Sequence, residues 1–468
     1  MAILGLMTTT QLESERALNA RRKVFYDYPN GKFPLMGLLS LMEDAEELSD
    51  PEFGWYEERW QSARSLTAAA ESGKGPFATS TAGTTAASEA NIALAATAYL
   101  KVVDASQFRV RDVVRIKNVY TTTATTPVQT TVWVTAVDNS TNVLTVKLMD
   151  TTLASDTGPK NSNTTNNGLY VTAIGTATGE GDRSRSDGRV GEPFKLTNYT
   201  QIFRSVVGPF TGTALKMGQK YDSKPLYRKA AKDGALRHME LMEKAALFGV
   251  ARSTTTTTVD GDTVPVRYTG GIEYFLNQWD KGNTTNGGAF NYRLNGTDLS
   301  AVDWRDYDEK RVLRSVGSVT SGEWEELIRR MFASQSDSGF EKLVICGDKT
   351  LGAVNRWVQN KSITTRDLKT KEESYGLQIK QVDTVHGSLM FKTHPLFKED
   401  PSLQNTMLVV DMGDIVYHCM EGRDTELLKN RQQRDADHRK DEWLTECGFE
   451  VRNPKRHMWI DGLTEILA

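Results

Sequence analysis

Residues 222–249, DSKPLYRKAAKDGALRHMELMEKAALFG, constrain the fold more than any other stretch of this chain. Asp222 and Ser223 offer side-chain oxygens to the free N–H groups of a helix start, and Pro225 suits its first turn. Gly249 follows the last periodic residue, where a left-handed cap is expected. Between them Tyr227, Ala230, Ala231, Gly234, Leu241, Met242, Ala245 and Phe248 recur at three- and four-residue spacing, which predicts one apolar stripe. Asp233 and Glu240 each precede a basic residue by four positions, the favourable order for a helix surface pair. At ~1.5 Å per residue the helix runs about 35 Å, longer than the usual three or four turns. Leu241 lies mid-stripe, so truncating it to Ala is expected to cost about 2–5 kcal/mol. Leu236, Met239 and Leu247 lie off the stripe and point to a second packing surface. Alone, such a helix says only that an α+β core exists; its context says more.

The chain has 468 residues, more than one ordinary core, so two or three compact units are expected. Its 57 basic and 60 acidic residues leave a net charge of −3, which excludes bulk electrostatic recruitment of nucleic acid or membrane. No apolar run approaches the ~20 residues that span a bilayer. The N-terminal stretch becomes acidic too early for a secretion signal. Cys346, Cys419 and Cys447 are odd in number and widely spaced, so they read as buried free thiols of a protein made in a reducing cytoplasm.

Residues 9–26 are polar with little apolar face, and a short apolar helix, 35–42, follows Pro34. Trp55 and Trp60 belong to an aromatic cluster in an irregular segment, a packing anchor for an extended arm. SGKGP at 72–76 lacks the glycine-spaced lead and following helix of a phosphate loop. From about 99 to 171 short alternating strands follow one another, with VRDVVRI, VWVTAVD and VLTVKL around the turn at 138–142. This reads as an inserted β module, with residues 104–168 replaceable by a linker. Residues 175–191 carry Arg183, Arg185 and Arg189 in a glycine-rich loop. Phe194, Leu196, Tyr199, Ile202 and Phe203 then suit an extended arm whose aromatics a neighbouring subunit covers. A hairpin is expected near 253–268. From about 318 helices alternate with β-branched strands, the pattern of an α/β unit. The run 421–442 balances 6 basic against 7 acidic residues, a solvated or inter-subunit face. WLTECGFEVRN and HMWIDGL are expected to return to the domain of the long helix.

No catalytic constellation emerges. The six histidines include no HExxH, and no GxSxG elbow or GxGxxG turn is present. A long, loop-rich chain of this kind reads as a structural component, not an enzyme, with no cofactor.

FPLMGLLSLMEDAEELSDPEFGWYEE, then FRVRDVVRI…VWVTAVDNSTNVLTVKL, NYTQIF, GGI and ECGFEVRNPKRHMWIDGL follow in an order that resembles the major capsid proteins of tailed bacteriophages. The resemblance is to the branch with a β insert before the extended loop. It implies an α+β Hong Kong 97-like fold: an N-terminal arm (1–98), the insert (99–175) and an extended loop (176–221). A peripheral domain with a spine helix (222–317), an axial domain (318–425) and a return to the peripheral domain (426–468) complete it. It implies self-assembly as hexamers and pentamers into an icosahedral virion shell around packaged double-stranded DNA, after synthesis in a host bacterial cytoplasm. Implied partners are other copies, a portal, a separate scaffold protein and a decoration protein, without membrane. No Lys, Asn and Glu triplet matches that of the cross-linking members. Arg183, Arg185, Arg189, Phe194, Tyr199, Phe203, Trp55 and Trp60 are the expected subunit-interface residues. The alternatives are a nanocompartment shell of the same fold and a carbohydrate-active enzyme with an appended β module.

Overall fold

A computed structural model describes residues 35, 46–58, 64–68, 76–78, 81–82, 97–119, 128–149, 169–183, 194–217, 226–257, 261–281, 309–334, 341–361, 369–372 and 378–467. The chain forms two compact units, one of residues 1–55, 197–280 and 302–468, the other of 56–196 and 281–301. Helices and sheets are mixed, an α+β protein.

In the first unit the long helix spans Leu226–Phe248, and it buries Gly234, His238, Met242, Glu243, Ala246 and Leu247. The expected caps Asp222, Ser223 and Pro225 lie outside the described residues. Gly234, His238 and Met242, spaced by four, face a five-stranded sheet. A Cβ on Gly234 would sit 2.9 Å from Val207 Cγ2 and 3.4 Å from Trp443 Cδ1, so glycine lets helix and sheet meet closely. Leu241 corrects the expected stripe: it is 45% exposed, whereas Leu247 is fully buried. The sequence pattern misleads because two polar residues, His238 and Glu243, occupy core positions that hydrophobicity does not mark. Gly249 is also not left-handed. A Cβ there would come 2.3 Å from Thr269 O and 2.5 Å from Ala245 O, so close backbone approach requires it.

The sheet runs in the order Glu46–Leu48, Ile415–Met420, His438–Val451, Gln201–Thr211, with Glu426–Leu428 also paired to His438–Val451. Gln201 opposes Cys447 and Thr211 opposes His438, so residues 201–211 are a strand of the subunit's own sheet. Phe203 and Val207 are buried on one side, while Ile202 and Val206 on the alternate side stay nearly half exposed.

A second, seven-stranded sheet of this unit orders Val312–Leu313, Met458–Ile460, Met407–Val410, Glu341–Cys346, Ser388–Thr393, Gln378–Asp383 and Lys369–Glu372. The helices Ser321–Met331 and Asp348–Lys361 cover it, and Trp324, Leu327, Trp357, Val344, Phe391 and Val409 share its core. Thr320 and Glu323 close a capping box at the first of these helices. The two closing strands part company: His438–Val451 joins the sheet under the long helix, and Met458–Ile460 joins the α/β sheet. All three cysteines are free and buried.

The second unit is a curled sheet ordered Arg64–Leu66, Tyr170–Thr176, Asp112–Val119, Val128–Asp138, Val143–Leu148, Thr97–Lys101, Phe77–Ala78. The bridge Thr67↔Val102, with Ala68 N–H donating to Lys101 O at 3.0 Å, joins its two sides. Closure of this kind removes edges and wraps Leu100, Phe108, Val114, Val134, Leu144 and Val171. The β module thus takes strands from 64–66, 77–78 and 97–101, upstream of the replaceable segment 104–168. Excising 104–168 is therefore expected to leave Phe77, Leu100 and Val171 without their core and to abolish this unit's cooperative unfolding transition; an intact transition would show that the remaining strands fold without the excised ones.

The long helix yields a second test. Met242→Ala is expected to cost about 2–5 kcal/mol and Leu241→Ala within about half a kcal/mol of nothing in the isolated subunit, read from urea midpoints. Equal shifts would mean that the buried face is wrongly assigned.

Candidate assembly surface

The eight interface residues expected from sequence fall into three groups. Arg185, Arg189 and Trp60 lie outside the described residues, and of Phe194 only the strand backbone is described, within Phe194–Tyr199. Trp55 and Phe203 are buried inside the subunit, at 7% and 5% exposure, which corrects their reading as inter-subunit anchors. Trp55 packs against Phe275 with ring centroids 5.5 Å apart, and Phe203 fills the helix side of the sheet. An aromatic in an irregular or extended segment reads as unsupported when its contacts come from distant sequence, as Phe275 does for Trp55. Tyr199 and Arg183 remain: Tyr199 is half-buried and Arg183 exposed.

The base of the arginine-rich loop is fixed. Arg111 adopts a left-handed φ of 75° at the mouth of the β module. Its carbonyl accepts from Ala177 N at 3.0 Å, its Nη1 donates to Arg183 O at 3.2 Å, and its Nη2 lies 2.5 Å from Asp182 Oδ2. The indole Nε1 of Trp133 donates to Ala177 O at 3.2 Å. Residues 177–183, the first part of the charged loop 175–191, are thus held onto the module.

Polar residues that the apolar pattern passes over hold the helix-bearing unit together. Asn198 is fully buried; its Nδ2 donates to Phe449 O (2.7 Å) and Gly270 O (3.1 Å), and its Oδ1 accepts from Gly270 N (2.7 Å). His238 Nε2 meets Thr445 Oγ1 at 2.7 Å and its Nδ1 meets Ser205 Oγ at 3.3 Å, which couples the helix to the paired strands 438–451 and 201–211. Burial holds the His238 imidazole below its usual range. At the helix start Asp441 accepts from Tyr227, from Arg439 at 2.9 Å and from Asn430 N at 2.8 Å. Burial works to raise the Asp441 carboxyl, but these bonds outweigh it and hold the group low.

The deepest contact involves Glu243, fully buried near the helix end. Its Oε1 accepts from Leu35 N at 3.0 Å and from His394 Nε2 at 2.7 Å. Leu396 N donates to His394 Nδ1 at 3.1 Å, so the proton of a neutral ring sits on Nε2 and points at the carboxylate. Three stretches of chain meet on one oxygen. A spaced Glu and His with no motif gave no signal for this; only a charged residue in a helix of apolar neighbours hinted at it.

Among the described residues no group of His, Cys, Asp and Glu is arranged to hold a metal ion, and no helix is long and apolar enough to cross a membrane. Burial pushes the Cys346 thiol up to about 12 and raises Cys447 as well, so neither is a ready nucleophile. What remains for function is surface: an uncovered sheet face, an exposed hairpin and a charged loop.

The model of the SU10 major capsid protein family matches residues 22–464. The chain belongs to that family. It is a capsid shell subunit, and its place is the virion; the match leaves no support for a carbohydrate-active enzyme and favours a phage shell over a nanocompartment. No curated protein matches the chain. Among solved structures, the cyanophage A-1(L) capsid is 9% identical over 62% of this chain and 85% of that one, with a TM-score of 0.38. The holo-SrpI encapsulin complex from Synechococcus elongatus PCC 7942 is 10% identical over 58% and 78%, with a TM-score of 0.37. Mycobacterium phage Patience is 12% identical over 61% and 78%, with a TM-score of 0.34. Scores this low carry no weight by themselves.

Two consequences can be measured on this capsid subunit. Glu243→Ala leaves Leu35 N–H and His394 Nε2–H facing a void, and is expected to cost about 3–5 kcal/mol in urea unfolding and to speed exchange of the Leu35 amide. An unchanged midpoint would show that the clasp is dispensable.

The second concerns His457, whose imidazole burial and the nearby Lys342 charge lower to about 4. The unfolded chain then binds the extra proton first as pH falls below ~6.5. Stability is therefore expected to be full above that pH and to drop by on the order of 3 kcal/mol toward pH 4. His457→Gln should flatten that part of the profile; an unaltered acid limb would assign it to other groups.

Proposed function

We propose that copies of this chain close as hexamers and pentamers, in a Hong Kong 97-type arrangement, into an icosahedral head shell around packaged double-stranded DNA. The family match over residues 22–464 carries this reading. Three properties of the subunit support it. Apolar side chains at strand and helix positions, Ile202, Val206 and Leu241, stay about half exposed in the lone chain, as surfaces completed by neighbours would. The near-neutral balance of 57 basic and 60 acidic residues suits a wall that must not grip DNA through counterion release. The buried thiols and the hydrogen-bonded interior histidines His238 and His394 suit a structural role.

The loop beginning at Arg183 reaches a neighbouring copy, and Tyr199 and the backbone of Phe194 lie at its return. Its arginines meet neighbouring carboxylates in exposed pairs worth only ~0–1 kcal/mol each, so apolar contact dominates. A portal, a separate scaffold protein and a decoration protein are the further partners of this reading, with DNA as non-specific cargo. Co-expression with the other head proteins, followed by sedimentation and negative-stain microscopy, is expected to give closed particles with five- and six-fold clusters. A monomer at every concentration would overturn the reading.

A further inference from the structure

Beside the end of the long helix the subunit leaves open a groove of about 790 Å³. One wall is the helix end, Lys244, Ala245 and Phe248 with Gly249 and Val250; the other carries Arg252, Thr254 and Tyr268. These last three belong to a hairpin, Arg252–Thr257 with Thr263–Tyr268, that pairs with no further strand among the described residues. Its register sets Arg252 opposite Tyr268, Thr254 opposite Val266 and Thr256 opposite Val264. Opposed residues share a face, so the tyrosine and both valines lie on one side of the hairpin, and Tyr268 lines the groove from it. On the helix Leu241, Ala245 and Phe248 follow at i, i+4 and i+7, a line that ends in the same wall.

This surface is built to be covered. Leu241, Val250 and Tyr268 are 45%, 57% and 43% exposed. Leu241 and Phe248 sit at core spacing in the sequence, yet Leu241 stays 45% exposed among the described residues. A two-stranded hairpin alone is marginal in water, and this one has no fully buried residue. On the rim Lys244 is half exposed and paired with Glu240 at 2.5 Å, whereas the exposed Arg252 has no ionic partner among the described residues. An acidic group on the occupant would pair with Arg252.

The chain carries one strongly acidic stretch. Residues 43–58 hold eight acidic side chains and no basic one. Glu47, Ser49, Asp50 and Glu52 in it are exposed. In its own subunit this turn is fixed elsewhere, through pairing of Glu46–Leu48 with Ile415–Met420 and a 2.8 Å bond from Thr200 N to Pro51 O. Thr200 adjoins Gln201, which lines the groove. Acidic turn and basic groove thus abut on one subunit and form a self-complementary patch, the requirement for a contact about a two-fold axis.

We propose that the groove between the long helix and the hairpin receives the acidic turn 47–52 of a second copy of this chain, reciprocally, at a two-fold contact. The inference rests on the shell-subunit reading and names one contact within it. Apolar cover over Leu241, Val250 and Tyr268 supplies the attraction, and the opposite charges set the register.

Cysteine pairing and charge exchange test it on the full chain. Ser49→Cys with Val250→Cys adds two exposed thiols to a protein whose own three are buried. Oxidation of assembled particles is expected to give a covalent dimer that disappears on dilution to free subunits before oxidation. Monomers, intrachain bridges or ladders beyond the dimer in closed particles would overturn the two-fold contact. In parallel, Arg252→Glu is expected to lower particle yield about tenfold, near 1.4 kcal/mol per contact, and Glu47→Lys in the same chain to restore it. Circular dichroism checks that each variant folds. Wild-type yield from Arg252→Glu would overturn the proposal, as would failure of Glu47→Lys to rescue it. Failure of the unmodified chain to assemble would instead overturn the shell reading.

Discussion

The Glu243 carboxylate is the contact on which the helix-bearing unit depends. Burying a carboxylate is costly unless donors surround it, and here a backbone N–H from Leu35 and a histidine N–H from His394 meet it. Each donor comes from a different part of the chain. Neither could leave without stranding a charge, so the early segment, the helix and the α/β sheet are held as one body. Dispersion among aliphatic side chains would hold them too, but in many slightly shifted arrangements. A fixed carboxylate with directional donors selects one register along the helix axis.

The same division of labour recurs at Asn198 and His238. Apolar area gives the unit its stability, while buried amide and imidazole groups decide how strands at 198–211 and 438–451 meet the helix. This explains what could be read from residues alone. The long helix, the hairpin around 138–142 and the helix after KLVICG followed from local periodicity, because each makes its hydrogen bonds among neighbouring residues, and the strand KLVICG followed from its run of apolar, β-branched residues. The buried face of the helix did not, since Leu241 satisfies the period and is exposed while Glu243 violates it and is buried. Phe203 and Trp55 seemed spare only because their covering residues are distant in sequence. The upstream strands 64–66 and 77–78 are two or three residues long, too short for any pattern, and are defined by the β module that they complete.

For the assembly surface, charge was legible and geometry was not. The acidic run 43–58 and the basic residues flanking the helix end are visible in the sequence, yet nothing local says that Pro51 bonds beside Gln201. That adjacency is a property of the folded sheet.

The pairing of Gln201–Thr211 with His438–Val451 also orders events in time. The strand that pairs alongside Phe203, residues 438–451, is synthesised more than two hundred residues later. Until then the helix has only half of the sheet beneath it. A nascent chain on the ribosome therefore cannot present the finished helix and sheet to its neighbours, and polysomes crowded with growing copies do not nucleate shells around themselves. Long-range closure of this kind slows folding, because distant ends must meet before any contact rewards them. In a shell subunit that assembles with its own copies, that delay separates folding from polymerisation.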